Sequence, residues 1–332
     1  MKLTHWAMIV VLAGVVAKAD PTSELVWIAR VNPNMTYTHM SMLAPLSNTS
    51  VVAAWQGSSI GEGCNDQAIY LAWPSLFLQP DSNKLWLFYS ESTQYDYRND
   101  SKCGEYGHSY PGGEVRYRTS LDGGHTWSSA TTILTFQDRG HIAKVTANTM
   151  LVRNGRWLLP FWQEQHTVYD IGPGCSGVLI SDDQGQNWTP YGCVNRSDTW
   201  LIENTLGTIN NGSILQLFRT QIGYLYASVS NDNGETWSNA QPTPLQNPDA
   251  KVCMTNLRDG RLMLAYNPSK TQRLPLDLAY TRDGVSWTHY ATLESNMSTT
   301  YQYPTPVQLG NEVLTSYSAD TRTGIKLAIT PL

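Results

Sequence analysis

The sequence lacks the residue patterns that several kinds of active site require. Its seven histidines never occur as H-x-x-x-H or H-x-H, the spacings that place two imidazoles on one zinc ion. A glycine-rich phosphate loop, a serine nucleophile elbow and a cysteine–histidine signature are also missing from the sequence. We therefore expect no metal and no cofactor. Tryptophan and tyrosine are abundant, with twelve and eighteen copies; most should pack between sheets, and some could line a sugar-binding cleft.

The first residues have the pattern of a secretory signal peptide. Met1-Lys2 precedes an apolar run from Trp6 to Val16, and Ala17-Lys18-Ala19 matches an A-x-A cleavage site. We assign 1–19 to a signal peptide and expect 20–332 to be secreted. The apolar run is too short to cross a bilayer, so no membrane insertion is expected.

Seven N-x-[ST] sequons predict a glycosylated product of a eukaryotic secretory pathway. Their asparagines should face solvent; they are Asn34, Asn48, Asn99, Asn187, Asn195, Asn211 and Asn296. The net charge is −5 and no run of like charges occurs, so neither a nucleic acid nor an anionic membrane is an expected partner.

The five cysteines must leave one unpaired in an oxidising compartment. Cys175 and Cys193 flank a predicted hairpin and are paired on that ground, and Cys64 with Cys103 is the second predicted pair. Cys253 lies in an apolar strand and is interpreted as a buried free thiol.

A repeated turn motif, S-x-D-x-G-x-T-W, is the first indication of the fold. It is intact at Ser120–Trp127 and Ser230–Trp237, and altered copies occur at Ser181–Trp188 and Thr281–Trp287. Asp and Gly suit a tight turn between two strands, because the Asp carboxylate accepts hydrogen bonds from nearby backbone amides. This motif is the Asp-box, and its aspartates are expected to be structural.

A polar turn followed by an apolar strand occurs six times. The strands are Val51–Trp55, Leu85–Tyr89, Trp157–Leu159, Ile214–Leu217, Leu262–Leu264 and Val313–Thr315. The later copies recur about every 50 residues, the length of a four-stranded propeller blade. We therefore predict that 20–332 is one all-β domain, a six-bladed β-propeller with Asp-box turns. Strand-like 26–29 and 325–328 should share a blade and close the ring.

The Asp-boxes and predicted blades resemble the sialidase (neuraminidase) superfamily, in particular its branch with a BNR-repeat neuraminidase-like domain. Three stretches carry the resemblance further: Trp55–Trp73, Leu245–Asn267 and Tyr301–Gln308. It covers nearly all of 20–332. It implies an exo-acting glycosidase that cleaves a terminal acidic sugar, sialic acid or a related sugar acid, from a glycan or glycoconjugate. It implies nothing about the oligomeric state.

The resemblance also assigns roles to particular residues. Sialidases hold a substrate carboxylate with three arginines and use a Tyr, activated by a Glu, as nucleophile. The matching positions are Glu203 as the activating carboxylate, Arg219 and Arg273 as the second and third arginines, and Tyr303 as the nucleophile, with Tyr301 as the alternative nucleophile. These side chains should converge on one pocket at the propeller axis.

The acid/base should come from the loop after the first hairpin, where Asp66 and Glu62 both lie. Asp66 has the residue type that the family uses, whereas Glu62 lies closer to the family position by count. Both remain candidates.

One departure from the family is in the first strand, where His39 stands in the place of the first arginine. His lacks the bidentate fork and permanent charge of Arg. If His39 faces the substrate carboxylate, the anion should raise its pKa, and affinity should be strongest below about pH 6; otherwise His39 packs as a neutral side chain. Lys144 either supplies the missing charge or is a solvated lysine at a strand edge.

Two other functions remain open. A polysaccharide lyase acting on uronic acids could use His39 and Tyr303 as base and acid in β-elimination. The protein could also be a non-catalytic sugar-binding propeller, in which His39 marks the decay of an ancestral active site. Retention of Glu203, Tyr303 and two arginines weighs against the non-catalytic propeller.

Overall fold

The computed structural model describes residues 10–13, 23–61, 71–92, 95–96, 108–109, 113–141, 143–146, 148–167, 170–172 and 174–332. Across those ranges the structure is strands joined by turns, with one helical turn, α1 (Asp138–His141). No helix in the described ranges has the length and apolar character that a membrane span needs.

The strands follow one another through the whole described chain. The first are β1 (Val10–Ala13), β2 (Glu24–Arg30), β3 (Tyr37–Pro45), β4 (Ser50–Ser58), β5 (Leu71–Leu78), β6 (Leu85–Ser92), β7 (Tyr95–Asp96), β8 (His108–Ser109), β9 (Gly113–Ser120) and β10 (Thr131–Leu134). The next are β11 (Ala143–Val145), β12 (Leu151–Arg153), β13 (Arg156–Thr167), β14 (Asp170–Gly172), β15 (Ser176–Ser181), β16 (Thr189–Val194), β17 (Ile202–Thr208), β18 (Ile214–Arg219), β19 (Tyr224–Ser230) and β20 (Gln241–Gln246). The last are β21 (Cys253–Asn256), β22 (Leu262–Tyr266), β23 (Leu276–Thr281), β24 (Thr288–Glu294), β25 (Tyr301–Leu309), β26 (Glu312–Ala319) and β27 (Gly324–Pro331).

These strands form the antiparallel sheets of a β-propeller. Three sheets have four strands each, in the orders β17-β18-β19-β20, β21-β22-β23-β24 and β2-β27-β26-β25. A ten-stranded sheet contains two similar sets, built on β5-β6-β9 and β13-β15-β16, which join where Lys144 pairs with Gly113. A further sheet has the order β1-β4-β3, and β7 pairs with β8. This arrangement confirms the all-β propeller class, whereas the count of six blades stays a prediction.

The ring is closed by strands from opposite ends of the described chain. β2 pairs with β27 in antiparallel register, with Val26 opposite Leu327. This confirms the prediction that 26–29 and 325–328 share a sheet. β1 lies within the predicted signal peptide and pairs with β4, and the signal peptide itself stays a prediction.

The core lies between neighbouring sheets, as strand alternation requires. Apolar faces interlock there, as where Trp55 packs with Leu314 and Ile325, and Trp86 meets Trp157 edge to face with ring centroids 5.5 Å apart. A cavity of about 430 Å³ is lined by residues of β3, β5, β12, β17, β21 and β25. These inner strands therefore surround a common axis.

The Asp-boxes have the predicted turn structure. In the box around Asp232, Oδ1 accepts hydrogen bonds from the Thr236 backbone amide (2.9 Å) and the Ser230 hydroxyl (2.8 Å). Trp237 Nε1 donates to the Gly234 carbonyl at 3.0 Å. In the altered box, hydrogen bonds from the backbone amide and side chain of Asn187 lower the pKa of Asp183 to about 2.

We expect Asp232→Ala to lower the melting temperature without changing the Michaelis constant of the folded protein. The substitution leaves the Thr236 amide without its carboxylate acceptor in a turn that folds the strand end. A fall of about 1–2 °C would match the loss of about 1 kcal/mol in a domain of this size. Thermal denaturation and steady-state kinetics measure both effects, with Asp198→Ala, outside the Asp-boxes, as the control. A selective loss of substrate affinity would contradict a structural role.

The cysteine predictions agree with the structure where it describes them. Cys175 and Cys193 form a disulfide with Cα atoms 4.9 Å apart, and Cys253 is a buried free cysteine. Cys64 and Cys103 lie outside the described residues.

The asparagines of the six described sequons are exposed: Asn34, Asn48, Asn187, Asn195, Asn211 and Asn296. The seventh, Asn99, lies outside the described residues. Exposure meets the requirement of a glycan attached at each site, and glycosylation itself stays a prediction.

Candidate active site

A bulge at the same place in three inner strands builds the site. The register shifts between His39 and Met42 in β3, between Ile202 and Thr205 in β17, and between Gln302 and Thr305 in β25. Each bulge contains a residue in the left-handed region: Met40 (φ 55°), Glu203 (φ 50°) and Tyr303 (φ 59°).

This conformation costs a residue other than glycine about 1–3 kcal/mol and is concentrated at functional sites. A bulge also redirects the side chain it carries. Met40 and Tyr303 accordingly pack in one cluster with Ile202 and Trp162. The three bulges thus turn side chains from separate sheets toward one place.

Tyr303, Glu203 and Arg219 form one hydrogen-bonded group. The Tyr303 hydroxyl donates to Glu203 Oε1 at 2.7 Å. Arg219 Nη1 donates both to Glu203 Oε2 and to the Tyr303 hydroxyl oxygen, each at 2.8 Å. Glu203 is 2% exposed and Arg219 13% exposed, so solvent does little to screen this charge pair. We call these three residues the phenol–carboxylate group.

Arg273 joins the phenol–carboxylate group through Asp249. Arg219 Nε donates to Asp249 Oδ1 at 2.7 Å, and Arg273 Nη2 donates to the main-chain carbonyl of the same Asp249 at 2.8 Å. Arg273 Nη1 also donates to Gln302 Oε1. Its guanidinium carbon lies 5.7 Å from the centroid of the Tyr303 ring. The structure therefore brings together all four side chains that were expected to converge, whereas their roles stay predictions.

The two arginines differ in how their charges are balanced. Burial opposes the charge of Arg219, yet the Glu203 carboxylate raises the pKa of Arg219 well above its usual value. Burial lowers the pKa of Arg273, and nearby Arg219 and Arg322 also lower it. Within the described part of the chain, no carboxylate forms an ion pair with Arg273, whose acceptors are an amide and a carbonyl oxygen. Among the described residues, Arg273 thus has only neutral hydrogen-bond acceptors, and its guanidinium lies beside the Tyr303 ring.

His39 lies against the Tyr303 ring, with centroids 4.2 Å apart. It is fully buried, and its Nδ1 is 2.8 Å from the Ser318 hydroxyl. Burial, followed by the charges of Arg322 and Arg273, lowers the pKa of His39 well below its usual value. The structure thus gives His39 the neutral packed state, not the raised pKa expected beside an anion. A contact between His39 and substrate stays a prediction.

Lys144 is not the solvated lysine at a strand edge that the sequence allowed. It is fully buried, its Nζ donates to the Phe136 carbonyl at 2.8 Å, and burial lowers its pKa to about 8. None of its described hydrogen bonds is with the phenol–carboxylate group, and a role in substrate binding stays a prediction.

Tyr301, the alternative nucleophile, packs in the core between sheets. Its ring lies 6.1 Å from that of Tyr317, and burial raises its pKa to about 12. Tyr303 is therefore the better-placed phenol. Both candidate acid/base residues, Glu62 and Asp66, lie outside the described residues.

Three residues near the site were missed by sequence interpretation. Asp249 connects the two arginines. Lys251 is buried, and its Nζ donates to the Pro304 carbonyl at 3.2 Å. The guanidinium carbon of Arg322 lies 5.9 Å from the Tyr37 ring centroid. Asp249 and Lys251 belong to the stretch that carries the family resemblance. No spacing rule singles them out, because their partners come from other sheets.

Comparison with family models identifies the family that has this architecture. The "BNR repeat-like domain" matches residues 48–315, which is most of the chain. The chain belongs to the BNR repeat-like family. A comparison with curated protein sequences found no significant match.

Solved structures similar to this BNR repeat-like protein share its fold at low identity. The Hadza microbial sialidase Hz136 superposes with a TM-score of 0.72 at 14% identity, covering 90% of this chain and 66% of that one. A Dyadobacter fermentans protein of unknown function has a TM-score of 0.72 at 16% identity, with 93% and 99% covered. The intramolecular trans-sialidase from Ruminococcus gnavus, in complex with oseltamivir carboxylate, has a TM-score of 0.65 at 14% identity, with 96% and 99% covered. The BNR repeat-like protein therefore has a sialidase-like fold.

Proposed function

We propose that this protein is a secreted exo-acting glycoside hydrolase of sialidase type, which removes a terminal acidic sugar from a glycan or glycoconjugate. The observation that carries the proposal is the hydrogen bond from the Tyr303 hydroxyl to Glu203 Oε1 at 2.7 Å. A phenol beside a buried carboxylate has the nucleophile–base geometry of covalent catalysis. The family match and the sialidase-like fold support this choice of reaction.

In the proposed reaction the Tyr303 oxygen attacks the anomeric carbon while its proton passes to Glu203. The bond from that carbon to the leaving oxygen breaks, and an acid protonates the leaving oxygen. Water then attacks the anomeric carbon and the bond to the Tyr303 oxygen breaks. The deprotonated acid takes a proton from this water and Glu203 returns its proton to Tyr303, so the sugar is released with retained configuration. Asp66 and Glu62 remain the proposed sources of the acid.

Arg219 has a specific part in this reaction. Its Nη1 donates to the Tyr303 oxygen at 2.8 Å, so it stabilises negative charge that develops on that oxygen as the proton leaves. Its second bond from Nη1, to Glu203 Oε2, holds the carboxylate in place. Arg219 therefore acts on the nucleophile and its base together.

The acidic sugar is inferred from Arg273. Its charge is not balanced by a described carboxylate and lies next to the proposed nucleophile. A partly buried guanidinium in this state favours an anionic ligand, because desolvation strengthens the attraction between opposite charges. A sugar acid with its carboxylate near the anomeric carbon would place that anion beside Arg273.

A lyase acting on uronic acids is the second candidate, and the state of His39 favours it. A neutral imidazole 4.2 Å from the Tyr303 ring could accept a proton from a uronate. However, His39 Nε2 is buried with no hydrogen-bond partner among the described residues, so a substrate would have to displace packed side chains to reach it. The glycosidase has its nucleophile and base already in hydrogen-bond contact.

Product analysis on a panel of sialosides and uronate-containing glycans separates these functions. We expect a free acidic sugar to be released, and we expect Glu203→Gln to slow its release by roughly 10²–10⁴-fold, because the base is lost while the shape is kept. An unsaturated uronate product would instead establish the lyase. Binding without turnover by the wild-type protein would establish a sugar-binding propeller and overturn the glycosidase.

A further inference from the structure

Asp249 contacts both arginines of the site with different atoms. Its carboxylate accepts from Arg219 Nε at 2.7 Å, while its main-chain carbonyl accepts from Arg273 Nη2 at 2.8 Å. The residue adopts a left-handed backbone (φ 53°). The neighbouring turn is fixed by Asn247, whose side chain accepts from the Ala250 amide and donates to the Ala250 carbonyl, both at 3.0 Å. The loop therefore presents Asp249 in a defined orientation.

The contacts of Arg219 leave it poorly suited to grip a substrate carboxylate. Bidentate binding needs two neighbouring N–H groups on one edge of the guanidinium. Nη1 already donates hydrogen bonds to Glu203 and Tyr303, and Nε donates one to Asp249. Each of the two edges of the Arg219 guanidinium thus has at least one N–H that already donates to a protein group. The carboxylates of Glu203 and Asp249 balance its charge.

Arg273 is bonded in the opposite way. Its partners are the Asp249 carbonyl and the Gln302 amide oxygen, which are neutral. The charge of Arg273 is therefore available to an anion, whereas the carboxylate of Asp249, 42% exposed, adds a negative charge close to the same place.

We propose that Asp249 determines specificity: its carboxylate commits Arg219 to the phenol–carboxylate group, and its charge limits how strongly the pocket binds acidic sugars. The inference rests on the proposed function in so far as the ligand is an acidic sugar. Arg273 is then the arginine that binds the carboxylate of the acidic sugar. Asp249 is a positioning residue, because it acts through the two arginines.

Binding of acidic and neutral probes to Asp249→Asn tests this assignment. Asn keeps the size, an acceptor oxygen and the main-chain carbonyl, and removes only the negative charge. We expect N-acetylneuraminate or D-glucuronate to bind Asp249→Asn roughly threefold to tenfold more tightly than wild type, the effect of one charge a few Å away in a partly solvated site. Binding of the corresponding methyl esters, which lack the charge, should not change. Isothermal titration calorimetry measures both.

Two further variants serve as controls. Asp249→Glu keeps the charge and should retain the wild-type ratio of acid to ester affinity. Asp198→Asn removes the carboxylate from the exposed Arg196–Asp198 pair and should leave both affinities unchanged. Thermal melts identify any variant that fails to fold, in which case Asp249→Ser gives the same comparison.

Weaker or unchanged acid binding in Asp249→Asn would overturn the inference, and so would an equal change for acids and esters. Failure of either acid to bind wild type or variant would overturn it too, because the inference requires an anion site. Turnover plays no part in this readout. A protein that shows the predicted selectivity and releases no sugar would overturn the proposed function and leave the inference intact.

Discussion

Tyr303→Phe should reduce the rate of sugar release by roughly 10³-fold or more, the size of effect seen when a catalytic nucleophile is removed. The substitution deletes one oxygen and leaves the ring, so the packing of Tyr303 against His39 and Arg273 is kept. Glu203 loses a hydrogen-bond donor and retains Arg219 as its partner. Single-turnover kinetics on the best substrate of the glycan panel measure the chemical step directly.

The matched control is Tyr301→Phe, two residues away on the same strand. Tyr301 packs against Tyr317 in the core, so loss of its hydroxyl should leave the chemical step within about threefold of wild type while costing some stability. If Tyr301→Phe stops turnover and Tyr303→Phe does not, the nucleophile has been assigned to the wrong residue.

Arg219→Met should destabilise the protein by roughly 3–5 kcal/mol, because it leaves the buried Glu203 carboxylate without its guanidinium. Glu203 is 2% exposed, so water cannot replace the lost partner. Urea denaturation measures the free energy of unfolding. The exposed pair of Arg196 with Asp198 provides the comparison, since Arg196→Met should cost no more than about 1 kcal/mol.

The double variant Arg219→Met/Glu203→Gln separates a charge effect from a packing effect. Removing the carboxylate charge as well should restore most of the lost stability, giving a coupling of about 2 kcal/mol or more between the two sites. Additive losses in the two single variants would show that Arg219 stabilises the protein through packing, and that the ion pair contributes nothing.

The sequence predicts the fold well because its signals are local. An Asp-box contains its own hydrogen-bonding partners, as in the contacts of Asp232 with Ser230 and Thr236. The motif therefore indicates a turn wherever it occurs, and the strands on either side follow. The pairing of β2 with β27 was also predictable, because a ring of sheets needs one sheet closed by both ends.

The backbone conformations and the charge states of the site residues were less predictable, since they depend on contacts between sheets. Nothing in the sequence indicates that Glu203 and Tyr303 adopt left-handed backbones, because Glu and Tyr, unlike Gly, Asn and Asp, are not enriched in this region. The neutral state of His39 depends on complete burial and on the charges of Arg322 and Arg273. These neighbours come from different parts of the chain, and their proximity exists only in the folded ring.

The closure of the ring by β2 has a consequence for synthesis of the protein on the ribosome. β2 is translated before β3 to β26, and its partner β27 follows all of them. The edge of β2 that pairs with β27 therefore stays unpaired while β3 to β26 are made. The sheet that completes it also contains Tyr303 on β25, so a nascent chain can contain Glu203 and Arg219 long before their phenol partner exists. A chain that stops short of β27 lacks the strand that joins β26 to β2, so the sheet that holds Tyr303 stays open until β27 has been made.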